Sequence, residues 1–375
     1  MTTTTTPAVG LPPMDVAART GRLRHRLGEA GCEALLVTEL ANVRYLTGFT
    51  GSAGLLLVLP DELLLVTDGR YRDQAAEQLR AADVDARLEI GLTGGAQQEA
   101  LSSAAAGVRR LGLEAAHVTW ATQRRYAGEW FPKAELVPTE GLVEDLRQVK
   151  DDGEVARMAA AAAIADAALA AVRSRLGEGP TEAEFALELD TEVRRLGAEG
   201  ASFETIVAGG PNGAKPHARP GPRRIVDGDL VVIDFGATVD GYRSDMTRTT
   251  MVGTPTPTQL RMLEVVADSQ AAGVRAVAAG VECAEVDRAC RDVIEEAGWA
   301  DAFLHSTGHG VGLDIHEEPR VSWNSTATLV AGHVVTVEPG VYLPEHGGVR
   351  IEDTVVVTAE GCRLLTLAPK DPELP

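Results

Sequence analysis

The sequence is short of cysteine, and the cysteines it has are not paired in a motif. Its 375 residues include four cysteines, and no two of them form a CxxC pair. Cys283 and Cys290 are seven residues apart on a predicted helix, which is too far for an unstrained disulfide. The cysteines are therefore interpreted as small buried residues of a protein that works in a reducing compartment.

Positive charge is also scarce, since 35 lysines and arginines stand against 55 aspartates and glutamates, a formal charge of −20. This balance argues against nucleic acid or an anionic membrane as partner, because both are polyanions. The N-terminus, MTTTTTPAVGLPP, lacks the basic and apolar regions of a signal peptide, and we expect residues 1–13 to form a disordered tail. No apolar run approaches the roughly 18 residues of a membrane span. We therefore expect a cytoplasmic protein with no membrane partner.

What is present indicates a soluble globular protein of two domains, since 375 residues exceed one ordinary core. Up to about residue 140 helical patterns alternate with the apolar runs ALLVT (34–38), GLLLVL (54–59) and LLLVTD (63–68). This alternation predicts a small α/β domain over 14–145. The sequence pattern changes near residue 150, where an alanine-rich helix is predicted to begin, and predicted strands dominate beyond residue 200. The predicted fold class is thus α/β (more finely α+β), with a second domain over 150–368.

The strands of the second domain contain an internal repeat that carries acids. GDLVVIDFG (228–236) aligns without a gap over GHVVTVEPG (332–340), and GYRSDMT (241–247) aligns over GVRIEDT (348–354). In each copy one acid ends an apolar strand and a second follows on the return strand. Asp240-Gly241 predicts a hairpin turn that brings the two acids of the first copy close together.

Asp234 and Glu338 follow strands too apolar to lie at a surface, and buried unpaired carboxylates cost several kcal/mol. Arg243 and Arg350 offer one balance, as ion pairs in a duplicated hairpin without metal. Two arginines cannot neutralise four acids. Two divalent cations would balance the negative charge better than the arginines do. Oxygen-rich sites with one imidazole suit Mn²⁺, Co²⁺ or Zn²⁺.

The imidazole is expected from HSTGHGVGLDIHEE (305–318), which holds three of the eight histidines. His309 and His316 are seven residues apart, which differs from the HExxH spacing of a helical zinc site. We expect one of them to bind metal and the other to face substrate. His305 and His333 are interpreted as structural, and His217 lies at the end of a turn-rich loop that can border the same cleft.

Taken together, these motifs resemble the pita-bread metallopeptidases, and within them the proline-specific branch of prolidase (Xaa-Pro dipeptidase) and aminopeptidase P. VVIDFG, GYRSDMTRT, GHGVGLDIHE, TVEPGVY and GVRIEDT occur in the family's order, and ANVRYLTGFTGS (41–52) is similar to the family's smaller N-terminal domain. The resemblance implies a pita-bread catalytic domain over 150–368 and a creatinase/prolidase-like domain over 14–145. The similarity covers nearly the whole chain.

The resemblance also implies roles for individual residues. The positions that match the metal ligands are Asp234, Asp245, His309, Glu338 and Glu352. They imply two divalent ions, Mn²⁺ first with Co²⁺ and Zn²⁺ as alternatives, and a bridging hydroxide that attacks the bond before proline. Glu338 matches the proton shuttle, His217 and His316 match the pair that contacts substrate, and Arg350 matches a residue that orients the carboxylates.

The expected activity is hydrolysis of Xaa-Pro bonds in dipeptides or at the N-terminus of short peptides, by a homodimer. Two alternatives differ in kind. A creatinase-like amidinohydrolase would lack the metal ligands, and a non-catalytic pita-bread binding module would lack ligands or carry added basic segments. The intact ligand positions count against both, and the charge of −20 also counts against a module that binds nucleic acid.

Overall fold

The computed structural model describes residues 10–374, which divide into two compact units, Pro13–Arg147 and the chain from Gln148 onward together with the residues before Pro13. Residues 1–9 of the expected tail lie outside the described residues. Leu11 packs against the core of the larger unit, and the carbonyl of Pro12 accepts a hydrogen bond of 2.9 Å from Arg157 Nη1.

The smaller unit is a six-stranded mixed sheet with helices, as the alternating pattern predicts. Its strands run in the order β4-β3-β2-β1-β5-β6, and their apolar side chains form a core of leucine, valine and aromatic residues. The strands are β1 (Ala34–Val37), β2 (Gly54–Val58), β3 (Leu63–Thr67), β4 (Arg87–Ile90), β5 (Arg110–Glu114) and β6 (Glu135–Thr139). The helices are α1 (Ala17–Glu29), α2 (Leu40–Thr47), α3 (Arg72–Ala81), α4 (Gly94–Ala104), α5 (Trp120–Arg125) and α6 (Glu144–Gln148), the last of which ends at the unit boundary.

The larger unit consists of four long helices and thirteen short strands within the described residues. The helices are α7 (Asp152–Val172), α8 (Glu182–Arg195), α9 (Pro257–Ala276) and α10 (Cys283–Glu296). The strands are β7 (Gly200–Ala201), β8 (Ile206–Gly209), β9 (Leu230–Phe235), β10 (Ala237–Val239), β11 (Tyr242–Arg243), β12 (Met246–Met251), β13 (Gly308–Gly310), β14 (Glu317–Val321), β15 (Val334–Val337), β16 (Gly340–Leu343), β17 (Gly347–Arg350), β18 (Asp353–Val357) and β19 (Cys362–Leu364).

The sequence repeat is a structural repeat. In the first copy β9 pairs antiparallel with β12, and β10 pairs with β11; in the second copy β15 pairs with β18, and β16 pairs with β17. Helices α7 and α8 share one hydrophobic core with the first copy, and α9 and α10 share another with the second. The predicted hairpin is confirmed, since Asp240 and Gly241 have φ of 47° and 71°, the positive values that a tight two-residue turn requires.

Helix α7 corrects the expectation that no apolar run approaches the length of a membrane span. The segment Asp152–Glu178 is long and apolar enough to cross a membrane by length and composition alone. The alanine content that gives this result also suits a core helix, because small side chains permit close packing. Ala161, Ala165 and Ala168 of α7 are fully buried in the core that α7 shares with the first copy.

Candidate metal centre

The four repeated acids lie where the long strands of each copy are interrupted. Asp234 is near the end of β9, and Asp245 directly precedes β12. Glu338 directly follows β15, and Glu352 directly precedes β18. Thr247 pairs with Asp234 in one copy, and Asp353 pairs with Val337 in the other. Each copy therefore contributes one acid from an outgoing strand and one from its return strand.

His309 lies on β13 and faces these acids. Its Nε2 is 3.6 Å from Asp245 Oδ2 and 3.4 Å from Glu338 Oε1. Its Nδ1 is 2.9 Å from the carbonyl oxygen of Gly310. A hydrogen on Nδ1 donated to that carbonyl leaves Nε2 with a lone pair directed at the acids, which is the arrangement of a metal-binding histidine.

The donor atoms fit a divalent cation. One ligand atom each from Asp245, His309 and Glu352 lie within 4.8 Å of one another. Asp234 Oδ1 and Glu352 Oε1 are buried and have no hydrogen-bond partner among the described residues. A buried carboxylate oxygen without a partner is costly, so these two atoms are where a cation is needed. Carboxylate oxygens with one imidazole form a donor set for a divalent metal ion.

The electrostatics of the centre lead to the same conclusion. Burial, together with the charges of Glu352, Asp234 and Glu338, raises the pKa of Asp245 well above its ordinary range. Burial and the charges of Glu338 and Asp234 likewise raise the pKa of Glu352. Burial raises the pKa of Glu338 to about 8, and burial lowers the pKa of His309 to about 4. The acids thus resist ionising together without a cation, while the imidazole stays neutral and free to coordinate.

Arg350 is the cation that the protein itself supplies. Its Nη2 donates to Asp234 Oδ2 at 2.6 Å, and its Nη1 donates to the Tyr342 hydroxyl at 2.9 Å. Burial opposes its charge, but Tyr342, Asp234 and Glu338 raise the pKa of Arg350 well above its ordinary value. The Tyr342 hydroxyl is also 2.8 Å from His305 Nε2. His305, interpreted as structural, is thus joined to the centre through Tyr342 and Arg350.

Arg243 does not balance the acids in this way. Its Nε donates to the carbonyl of Leu313 at 3.0 Å, and its Nη1 donates to the carbonyl of Ser202. Of the two arginines that the metal-free alternative requires, only Arg350 forms an ion pair with one of the four acids among the described residues.

The two histidines predicted to contact substrate, His217 and His316, are exposed. The ring centroid of His316 is 4.4 Å from that of His309, with the rings nearly perpendicular. Partial burial of its ring, together with the charges of Arg320 and His217, lowers the pKa of His316. His217 follows Pro216, whose carbonyl accepts from Arg350 Nη1 at 3.2 Å, so Arg350 also holds the His217 loop.

Three further residues support the acids, and the sequence did not single them out. The Thr247 hydroxyl donates to Glu352 Oε2 at 2.7 Å and accepts from Arg350 Nε at 3.1 Å. The Thr336 hydroxyl is 3.3 Å from Glu338 Oε1 and accepts from the His309 N–H at 3.1 Å. Tyr342 is fully enclosed, and burial raises its pKa to about 12. Both threonines stand two residues from an acid of the repeat, a position that offered a weak signal.

Comparison with known proteins gives two family matches. Residues 156–359 match metallopeptidase family M24, and residues 19–149 match the creatinase/prolidase N-terminal domain. The chain is 34% identical to an Xaa-Pro dipeptidase of Pyrococcus horikoshii, over 90% of this chain and 94% of that protein.

Solved structures are similar over the same extent. An Xaa-Pro dipeptidase from Bacillus anthracis superposes with a TM-score of 0.90 and 39% identity, covering 95% of this chain and 99% of that one. An X-Pro aminopeptidase from Thermotoga maritima superposes with a TM-score of 0.86 and 33% identity, covering 94% and 99%.

Proposed function

Since the chain belongs to metallopeptidase family M24, we propose that it hydrolyses the Xaa-Pro bond of dipeptides. The observation that carries the proposal is the convergence of Asp245, His309 and Glu352 within 4.8 Å, beside two buried carboxylate oxygens without partners. The similarity to Xaa-Pro dipeptidases over nearly the whole chain supports the choice of substrate.

The residues proposed to hold two divalent ions are Asp234, Asp245, His309, Glu338 and Glu352. Such ions, when bound, supply Lewis acidity and activate water for attack on a carbonyl. Mn²⁺ is the proposed ion, with Co²⁺ and Zn²⁺ as alternatives, because all three accept carboxylate oxygens together with imidazole.

The remaining roles belong to groups that move protons or contact the substrate. We propose that Glu338 takes a proton from the attacking water and gives it to the departing proline nitrogen. His217 and His316 are proposed to donate hydrogen bonds to the oxygen on which negative charge develops. Arg350 holds Asp234 and the His217 loop in position.

Proline release separates the substrate classes. The metal-loaded protein is incubated with Ala-Pro and with Ala-Pro-Ala, and free proline and free alanine are measured. Cleavage of Ala-Pro alone supports the dipeptidase. Cleavage of Ala-Pro-Ala alone supports an aminopeptidase, which the similarity to the Thermotoga maritima enzyme makes the second candidate. Cleavage of neither contradicts both, and the alternatives of an amidinohydrolase or a binding module then take their place.

We also propose a cytoplasmic homodimer. Four cysteines without a disulfide suit a reducing compartment. Sedimentation equilibrium tests the assembly: a species of twice 39.5 kDa is expected, and a single species of 39.5 kDa contradicts it.

A further inference from the structure

The turn between β13 and β14 presents His316, and it is held from inside by a carboxylate. Glu317 directly follows His316, and its Oε1 accepts the N–H of Asp314 at 3.1 Å. A Cβ placed on Gly312 would lie 2.5 Å from Glu317 Oε2, so the backbone of the turn closes directly over this carboxylate. The position of His316 therefore depends on where the Glu317 carboxylate is fixed.

Lys150 fixes that carboxylate. Its Nζ is 3.0 Å from Glu317 Oε2, and the side chains of Lys150 and Glu317 are 1% and 7% exposed. Two charges so deeply buried are not a surface ion pair, and each requires the other to offset the cost of leaving water. The bond joins residues 167 positions apart in the sequence.

The backbone of Lys150 is itself anchored within the same unit. Its N–H donates to the carbonyl of Gly332 at 2.9 Å, and the neighbouring Val149 pairs with His333 just before β15. Strand β15 leads to Glu338. The ammonium group of Lys150 is therefore fixed relative to the strand that carries one of the proposed ligands.

The other end of the turn has a second anchor. The Arg243 N–H donates to the carbonyl of Gly312 at 2.9 Å, and its Nε donates to the carbonyl of Leu313 at 3.0 Å. Arg243 stands two residues before Asp245. The turn is thus tied at both ends to segments that carry proposed ligands.

We propose that Lys150 is a positioning residue, which sets the place of the His316 imidazole through its buried ion pair with Glu317. The inference rests on the proposed function for the catalytic role of His316, but not for the geometry. Residue 150 lies between the two family-matched ranges, 19–149 and 156–359.

A double-mutant cycle on Ala-Pro hydrolysis tests it with wild type, Lys150→Met, His316→Ala and the double variant. Misplacement of a substrate-contacting group lowers kcat, and we expect Lys150→Met to reduce kcat by about ten- to a hundredfold in the wild-type background. In the His316→Ala background the same change is expected to cost less than about twofold, because the group through which Lys150 acts is gone. An equal loss in both backgrounds overturns the proposal.

A matched control separates positioning from general destabilisation. Arg157 Nε is 2.6 Å from Asp240 Oδ2, and the two side chains are 11% and 33% exposed, so Arg157→Met breaks another, partly buried ion pair of the unit. Its effect on kcat is expected to be the same factor with and without His316. Coupling of Arg157→Met to His316 as large as that of Lys150→Met overturns a specific role for Lys150.

A structural readout keeps the two proposals distinct. A crystal structure of Lys150→Met, or of Lys150→Met/Glu317→Gln if the single variant does not fold, reports the separation of the His309 and His316 rings. A separation changed from 4.4 Å supports positioning even if the wild-type protein cleaves no Xaa-Pro bond, in which case only the proposed function fails. An unchanged His316 ring overturns the proposal whatever the activity.

Discussion

At Asp245 a carboxylate that is proposed to bind a cation lies where burial and three other acids disfavour its charge. The carboxylate therefore lowers the stability of the metal-free protein while it provides a proposed metal ligand, as is common at binding sites. The cost is confined to the centre, because the neighbouring strands β9, β15 and β18 are otherwise mostly apolar and rich in valine.

Replacing Asp245 tests both its role in binding metal and its cost to the stability of the metal-free protein. Asp245→Asn removes a ligand and one of the repelling acids, so we expect metal content to fall sharply and activity to fall at least about a hundredfold. The metal-free variant is expected to unfold at a higher temperature than metal-free wild type at pH 8. Elemental analysis and thermal unfolding measure the two effects.

Asp190→Asn is the matched control for this prediction. Burial raises the pKa of Asp190 too, but its carboxylate bonds to Thr205, outside the metal centre. Unchanged metal content is expected in this control. Full metal content in Asp245→Asn contradicts the ligand assignment.

The stability of the metal-free protein is expected to fall with rising pH. The pKa of Glu338 is raised from 4.5 to about 8, so the stability that its proton contributes is complete below pH 4.5 and is lost as pH rises through about 8. The lowered pKa of His309 acts in the opposite direction, but only as pH falls from 6.5 towards about 4.

Thermal unfolding between pH 6.5 and 8.5 tests this expectation. The midpoint of the metal-free protein should decrease over that range, and the metal-loaded protein should lack the decrease, because ions then replace the protons. A metal-free midpoint that rises with pH contradicts the account.

At the scale of elements, the hairpin turn at Asp240-Gly241 sets where Asp245 lies relative to Asp234. Gly241 has φ of 71°, which an L-residue adopts at a cost of about 1–2 kcal/mol. Gly241→Ala is therefore expected to lower both the free energy of unfolding and the affinity for metal, as measured by denaturation and metal titration.

Gly280 is the control for the turn. Its φ is 89°, and a Cβ there has nothing within 4 Å, so Gly280→Ala carries a similar backbone cost without touching a ligand hairpin. We expect reduced stability and unchanged metal affinity. Equal affinities in Gly241→Ala and wild type contradict the role of the turn.

The same elements show what the sequence was able to predict. The sequence repeat singled out all four acids, because the same short motifs recur in both copies and each motif is a local pattern. The sequence did not indicate the roles of Tyr342, Thr247 and the Lys150–Glu317 pair, because these roles arise from contacts between distant parts of the chain. Thr247 and Glu352 are 105 residues apart, and nothing local marks either as a partner of the other. The length and composition of α7 also suit a membrane span, because composition does not say what a helix packs against.

For the whole molecule, the net charge of −20 and the buried acids of the metal centre have different effects on stability. Surface carboxylates are solvated and cost little, whereas the buried set requires cations. Since a ligand that binds only the folded state stabilises it, added Mn²⁺ is expected to raise the unfolding temperature of wild type. Asp245→Asn should lose most of this increase, and an equal increase in both proteins contradicts a specific site.

Whether the protein hydrolyses Xaa-Pro bonds with this metal centre is tested most directly by the release of proline from Ala-Pro. The Mn²⁺-loaded wild type is measured beside Asp245→Asn under the same conditions. We expect rapid proline release by wild type and a loss of at least about a hundredfold in the variant. No release by wild type, or equal release by both proteins, would contradict this expectation.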